Sequence, residues 1–403
     1  MAAAPTVLCL ASYEKGFDFL REAKAQGARV LLLTSQSLRD VAAWPRESLD
    51  DIFYMPDVNK QWNRDHTILA VSHLAQSTQI DLIVPLDDFD LEMGAALREH
   101  LRIPGMGETT TRYFRDKLAM RARAQFAGLP VPEFVQVLNR ERLSKYMHDI
   151  PAPWVLKPRS QAGAIGIKKI RSEQELWEAA EKLGDMQSFY LLERYVPGDI
   201  FHVDSIWYDK KMLWACASRY GAPPMDVSHG GGVFTSRTLP FDSSDTKALS
   251  DLNRRVLESF GMVRGVSHSE FIRGKEDGKF YFLETSARVG GANLADMIEA
   301  ATGVNMWREW AKVELAGENG TYSAPKERTD TAGILVSLAR QEWPDTSSFS
   351  DPEIAWRMKK AHHVGLVVKS SDPARVEHLL ADYTKRIERD FMTSAPSPEK
   401  ATH

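Results

Sequence analysis

Short apolar runs and helix-spaced apolar positions alternate through the first hundred residues of this chain. Residues 6–11, 30–33 and 80–85 are runs of the kind that form buried strands. Between the first two, Phe17, Leu20 and Ala23 recur at helical spacing, and Gly27 ends that helix. Strands alternating with helices predict a parallel, doubly wound α/β unit. Its end is predicted near residue 108, after Ile103-Pro104-Gly105. The loop over residues 12–16 lacks the G-x-G-x-x-G spacing, so no dinucleotide site is expected there.

From residue 109 the pattern changes. Residues 109–127 predict a helix, stopped by Gly128-Leu-Pro-Val-Pro132. It carries Arg115, Asp116 and Lys117, and a charged triplet on a helix reads first as a solvated face. Residues 154–157 form a short apolar strand ending in Lys157, then a small-residue loop through Gly163 and Gly166 leads to a strand over 167–170. Such a loop can set backbone N–H groups against phosphate oxygens, with the lysine as a point charge. It can equally be an ordinary hairpin loop. Residues 189–193 are an apolar strand ending in Glu193, and the next strand starts at Phe201. The tract 218–240, with Gly230-Gly231-Gly232, reads as a lid or substrate loop. After Gly290-Gly291 come two helices, then a polar linker over 317–330. Strands at 334–338 and 364–368 and a helix at 373–387 predict a small C-terminal α+β unit, and 393–403 a disordered tail. His362 and His363 are strand neighbours that face opposite ways, so they make no metal pair.

The densest chemistry lies in residues 266–288. Two strands around Asp277-Gly278 predict a hairpin. Period-2 alternation puts Phe280, Phe282, Glu284, Ser286 and Arg288 on one face, and Val266, His268, Glu270 and Ile272 on the facing one. A hairpin symmetric about Asp277 sets Glu270 opposite Glu284. Carboxylates roughly 5 Å apart across a ladder repel. A shared proton, a basic side chain or a cation must compensate, and hard oxygen donors suit Mg²⁺. A register slip that turns one glutamate to solvent is the alternative.

Composition narrows the classes further. With 403 residues, 43% hydrophobic and 26% charged, the chain suits two or three globular domains. A net charge of −4 implies no nucleic-acid or membrane partner. Two cysteines, Cys9 and Cys216, make no disulfide framework, which favours a cytoplasmic protein. No apolar stretch reaches the length of a membrane span, and the first residues lack a signal peptide's basic region.

Taken in order, these pieces resemble the ATP-grasp superfamily over roughly residues 5–320. The resemblance implies that Lys117 and Lys157 hold ATP phosphates beneath a mobile loop containing Gly163, Ala164 and Gly166. It implies that Glu193, Tyr195 and Val196 bracket adenine, and that Glu270 and Glu284 bind Mg²⁺, or Mn²⁺. Ser286 stands where the family usually has a metal-binding Asn. The usual ribose acid is replaced by Ile200, with Asp199 and Asp204 nearby. The implied fold is α/β and α+β: a Rossmann-like pre-ATP-grasp domain at 1–108, an ATP-grasp domain at 109–320 with lobes at about 130–198 and 199–320, and a C-terminal α+β unit at 321–392. His268-Ser-Glu270 with Glu284-Thr-Ser-Ala-Arg288-Val-Gly-Gly291 is similar to the L-amino-acid ligase branch. That branch joins a small carboxylic acid to an amine or amino acid through an acyl phosphate, and implies a homodimer. Arg288 would face the acyl phosphate. His268 would touch substrate, deprotonate the amine, or serve as a hydrogen-bonded structural histidine. The rival readings are a biotin-carboxylase-like ATP-dependent carboxylase and a catalytically silent ATP-binding module.

Overall fold

The computed structural model describes residues 4–163, 165–223, 227, 231–318, 320–326 and 328–393. Ala164, Gly230 and the expected tail from 394 onward lie outside the described residues.

The N-terminal sheet is parallel. β1 (Thr6–Ala11) lies between β2 (Arg29–Ser35) and β6 (Leu82–Pro85), and β3 (Asp51–Met55) forms the far edge. The apolar runs of β1 and β2 are unbroken because both faces are covered. Val7, Cys9, Val30 and Leu32 face one core, while Leu8, Leu10, Leu31 and Leu33 face another. The edge strand β3 was not legible as an apolar run. A two-residue ribbon, β4 (Asp57–Val58) and β5 (Gln61–Trp62), follows it.

The next sheet is antiparallel, in the order β7 (Phe134–Gln136), β10 (Tyr190–Arg194), β8 (Trp154–Pro158), β9 (Lys168–Ile170). The helices Arg140–Asp149 and Glu173–Leu183 cover it through Leu143, Met147, Leu176 and Ala180.

The largest sheet has eight strands. Its order is β15 (Phe280–Ser286), β14 (Gly265–Gly274), β11 (Gly198–Tyr208), β12 (Lys211–Tyr220), β13 (Phe234–Thr238), β16 (Thr331–Leu338), β18 (His363–Ser370), β17 (Ile354–Arg357). The expected C-terminal strands therefore continue the sheet that holds Glu270 and Glu284, joined by β13 pairing with β16. The tract read as loop from 218 to 240 is narrower than expected. β12 runs to Tyr220, and Phe234–Thr238 is strand.

The hairpin of β14 and β15 departs from simple alternation. Gly278 takes the left-handed conformation (φ 67°), and the turn closes with the Gly274 amide donating to Lys279 O at 2.9 Å. Next to the turn Arg273 pairs with Phe280 and Ile272 with Tyr281, one residue out of step with symmetry about Asp277. Leu283 is the extra residue of a β-bulge. Beyond it Glu270 faces Glu284 and His268 faces Ser286, the pairing that symmetry predicted. Two residues of a bulged strand oppose one on the partner. Leu283 and Glu284 accordingly both border the same cleft, while Phe282 is fully buried beside Phe271. This corrects the expectation that Phe280 and Phe282 share a face with Glu284: both phenylalanines pack into the core beneath the sheet.

The bulge assigns opposite faces to adjacent residues, which stability measurements can resolve. Phe282→Ala is expected to destabilise by about 3–5 kcal/mol, and Leu283→Ala by clearly less. Urea unfolding of the two variants checks this, and the reverse order of losses would restore an unbulged strand.

Candidate active site

The helix Lys117–Phe126 begins at Asp116, whose carboxylate accepts from the backbone amides of Leu118 and Ala119. The helix expected over 109–127 is broken at Arg115 and Asp116, and the triplet that spans the break is not a solvated face. Arg115, Asp116 and Lys117 are all buried, because each meets a partner from a distant segment. Arg115 donates to Asp88 at 3.0 Å, Asp116 pairs with Arg159, and Lys117 Nζ donates to Gln161 O at 2.6 Å and contacts Glu284 Oε2 at 2.7 Å. Lys117 thus ties the small-residue loop to the strand carrying Glu284.

Lys157, the last residue but one of β8, forms an ion pair with Glu193 on β10, the neighbouring strand. Burial pushes its ammonium down to about 8, against the pull of Glu193. Glu193 is buried as well and stays below the ordinary carboxylate range, because Arg121 and Lys157 outweigh that burial. Arg121, fully buried, donates from Nε to Glu193 Oε2 at 3.0 Å.

A cavity of about 170 Å³ opens beside these groups. Val155, Lys157, Tyr195, Val196, Ile200 and Leu283 line it, and the Lys169 ammonium lies 3.5 Å from the centre of the Tyr195 ring. The Glu193 side chain is committed to Arg121 and Lys157. Two of the residues considered for the ribose lie elsewhere. Asp199 alternates away from Ile200 and pairs with Arg219 at 3.0 Å. Asp204 is buried between two histidines. Gly163 and Gly166 both take left-handed conformations (φ 70° and 72°) beside Lys157. A Cβ on Gly166 would stand 3.2 Å from Pro158 Cγ.

A second cavity, about 310 Å³, lies on the other side of the glutamate pair. Lys117, Gly163, Glu270 and Glu284 border both cavities. Glu270 Oε1 accepts from the Tyr220 hydroxyl at 2.9 Å. Glu284 holds the Lys117 ammonium. Two adjacent carboxylates, one of them already facing a cation, are a donor set that fits Mg²⁺ or Mn²⁺.

Behind Glu270, Asp204 accepts from both histidines, His268 Nδ1 at 2.9 Å and His202 Nδ1 at 2.8 Å. His202 Nε2 reaches Ser236 Oγ at 2.8 Å. Side-chain atoms of His202, Asp204 and His268 come within 4.8 Å of one another, as these hydrogen bonds require. Burial alone would lower His268, but Asp204 and Glu270 raise it to about 9. His268 Nδ1 is committed to Asp204, the arrangement expected of a hydrogen-bonded structural histidine. Gly290 packs on this pair, and a Cβ there would meet His268 Nδ1 at 2.9 Å.

The N-terminal sheet reaches this second cavity through Asp88, just after β6. Asp88 accepts from Ser286 Oγ and Arg115 Nη1. Burial opposes its ionisation, yet Arg115 and Arg288 hold it at about 2. The Ser286 hydroxyl donates its proton to Asp88, and Ser286 borders the same cavity as Glu270 and Glu284. Arg288 borders the same cavity, donates from Nη1 to Val289 O at 2.8 Å, and keeps a buried Nε without a partner. Asp88, Arg121 and Tyr220 carry no role in the sequence reading. The available signals were the acids at the carboxyl end of a parallel strand and the one-turn spacing of Lys117 and Arg121.

Residues 150–296 match the ATP-grasp domain model. The chain is 24% identical over 257 residues to the L-arginine-specific L-amino acid ligase of Bacillus subtilis, covering 62% of this chain and 61% of that protein. It is 25% identical over 252 residues to D-alanine–D-alanine ligase of Ralstonia pickettii (strain 12J), covering 60% and 76%. Among solved structures, L-amino acid ligase from Bacillus licheniformis superposes with a TM-score of 0.77 at 16% identity, over 98% of this chain and 100% of that one. Biotin carboxylase from Campylobacter jejuni superposes at 0.70 and 16% identity, over 97% and 92%. The fold is shared with both.

Two substitutions probe the site. Glu284→Gln removes one of the facing charges, so kcat/KM for ATP-dependent turnover is expected to drop at least about 10²-fold, roughly 2.7 kcal/mol. Near-normal turnover at limiting Mg²⁺ would remove Glu284 from the metal. Lys157→Ala is expected to weaken ATP binding in a folded protein, measured by calorimetry. An ATP affinity equal to wild type would make the lysine structural.

Proposed function

We propose, from the ATP-grasp domain carried by residues 150–296, that this chain is an ATP-dependent carboxylate–amine ligase working through an acyl phosphate. One observation carries the reading: two cavities meet at Lys117, Gly163, Glu270 and Glu284. A nucleotide in the first would present its terminal phosphate to an acid in the second. The curated relatives that support the choice of ligase over carboxylase are themselves named as amino-acid ligases. The retained pairs of acids and lysines favour an active enzyme over a silent binding module.

The chemistry follows from the groups present. A carboxylate is a poor acyl donor at neutral pH because its leaving group would be oxide. A carboxylate oxygen of the acid attacks the γ-phosphorus of ATP, the bond to the bridging oxygen breaks, and ADP leaves. The amine nitrogen then attacks the acyl carbon, and phosphate departs with the former carboxylate oxygen and the amine's proton. Phosphoryl transfer requires positioning and charge neutralisation more than covalent help. Lys157 and Lys117 supply positive charge beside the phosphates. Arg288, with an unpartnered buried Nε, faces the charge that grows on the acyl phosphate. His268, bound by Asp204, steadies the Glu270 side of the pair. Bound Mg²⁺ or Mn²⁺ would be held by Glu270 and Glu284 and would neutralise phosphate charge during transfer. The acid or the amine is read as an amino acid, and the work as cytoplasmic. No helix among the described residues is long and apolar enough to cross a membrane.

Isotope transfer tests the intermediate. With a pool of amino acids, ATP and Mg²⁺, ¹⁸O placed in the substrate carboxylate is expected in the released phosphate, with one ADP per amide. Hydroxylamine is expected to divert part of the flux to a hydroxamate. AMP and pyrophosphate as products would mean adenylation instead, and ADP release without label in phosphate would end the acyl-phosphate mechanism.

A further inference from the structure

Arg121 sits outside both cavities, yet it touches what shapes each of them. It is fully buried, one helical turn beyond Lys117. From Nε it donates to Glu193, which in turn holds Lys157. From Nη1 it donates to the backbone carbonyl of Leu283, the bulge residue next to Glu284. Its guanidinium also lies 5.8 Å from the centre of the Phe282 ring. A bulge leaves its extra residue without a ladder partner, and a buried carbonyl without a donor is costly. Arg121 supplies that donor. The same planar fork then fixes the glutamate that orients the phosphate lysine.

We propose that Arg121 is a positioning residue that sets the metal carboxylate Glu284 and the phosphate lysine Lys157 together, so that one guanidinium aligns both halves of the nucleotide–metal site. The proposal rests on the reading of Glu270 and Glu284 as metal ligands and of Lys157 as a phosphate ligand. Lysine cannot replace arginine here. An ammonium carries the charge but lacks the fork that spans Glu193 and Leu283 O together. The metal carboxylate and the phosphate lysine should both loosen when the fork is lost, even though the buried charge is kept.

The test uses Arg121→Lys in the full chain, with Mn²⁺ and the non-hydrolysable ATP analogue AMPPNP as probes. Mn²⁺ binding in the presence of AMPPNP is read by electron paramagnetic resonance, AMPPNP binding by calorimetry, and folding by circular dichroism and thermal melting. Arg121→Lys is expected to fold, to bind Mn²⁺ at least tenfold more weakly, and to bind AMPPNP severalfold more weakly. Arg123→Lys is the control. That arginine lies on the same helix but donates to Ser259 O at 2.6 Å, so both affinities are expected to stay at wild-type values. Wild-type affinities in Arg121→Lys would overturn the proposal. So would its failure to fold, because the residue would then be a folding element. A wild-type protein that binds no Mn²⁺ with AMPPNP would instead overturn the metal and nucleotide reading beneath it.

Discussion

Two like charges held face to face across a β-ladder are the constraint on which this site depends. Glu270 and Glu284 cannot sit together without compensation, and their surroundings supply it from several directions. Lys117 contacts Glu284, Tyr220 donates to Glu270, and His268 stands 3.8 Å from Glu270. Two of these groups are secured in turn, Lys117 by Gln161 O and His268 by Asp204. The repulsion is thus answered by fixed donors on either side, which hold both acids in place.

The N-terminal sheet takes part in that arrangement. Asp88 reaches from the end of β6 to Arg115 and Ser286, and so joins the parallel sheet to the helix of Lys117 and to the strand of Glu284. Its anionic form is held by the arginines around it although it is buried. A carboxylate in that position balances Arg115 and Arg288, which would otherwise repel one another across the second cavity.

Much of this was legible in the sequence, and the failures trace to a β-bulge, to strand alternation and to partners that lie far along the chain. The facing of Glu270 and Glu284 followed from the hairpin's own symmetry, a local property. The bulge at Leu283 was not legible, because the shift near the turn and the extra residue cancel at the glutamates and leave no trace in their spacing. Phe280 and Phe282 were assigned to the wrong face for that reason. The triplet at 115–117 looked solvated because its partners, Asp88, Arg159, Gln161 and Glu284, lie far along the chain. Asp199 and Asp204 were placed by their nearness in sequence to ligand positions. Strand alternation and distant partners send them elsewhere. The parallel strands, by contrast, were plain, since burial on both faces writes itself as an unbroken apolar run.

The eight-stranded sheet has a mechanical consequence. Phe234 to Arg237 pair residue by residue with Gly333 to Val336, so the C-terminal strands and the strands of Glu270 and Glu284 belong to one continuous sheet. A hinge there would have to break backbone hydrogen bonds along a whole strand. The four-stranded sheet of β7 to β10 has no strand paired to that ladder among the described residues. It carries Lys157 and part of the wall of the first cavity on a sheet of its own. On the ligase reading proposed above, closure over a nucleotide would fall to the smaller sheet, because its movement would leave the eight-stranded ladder intact.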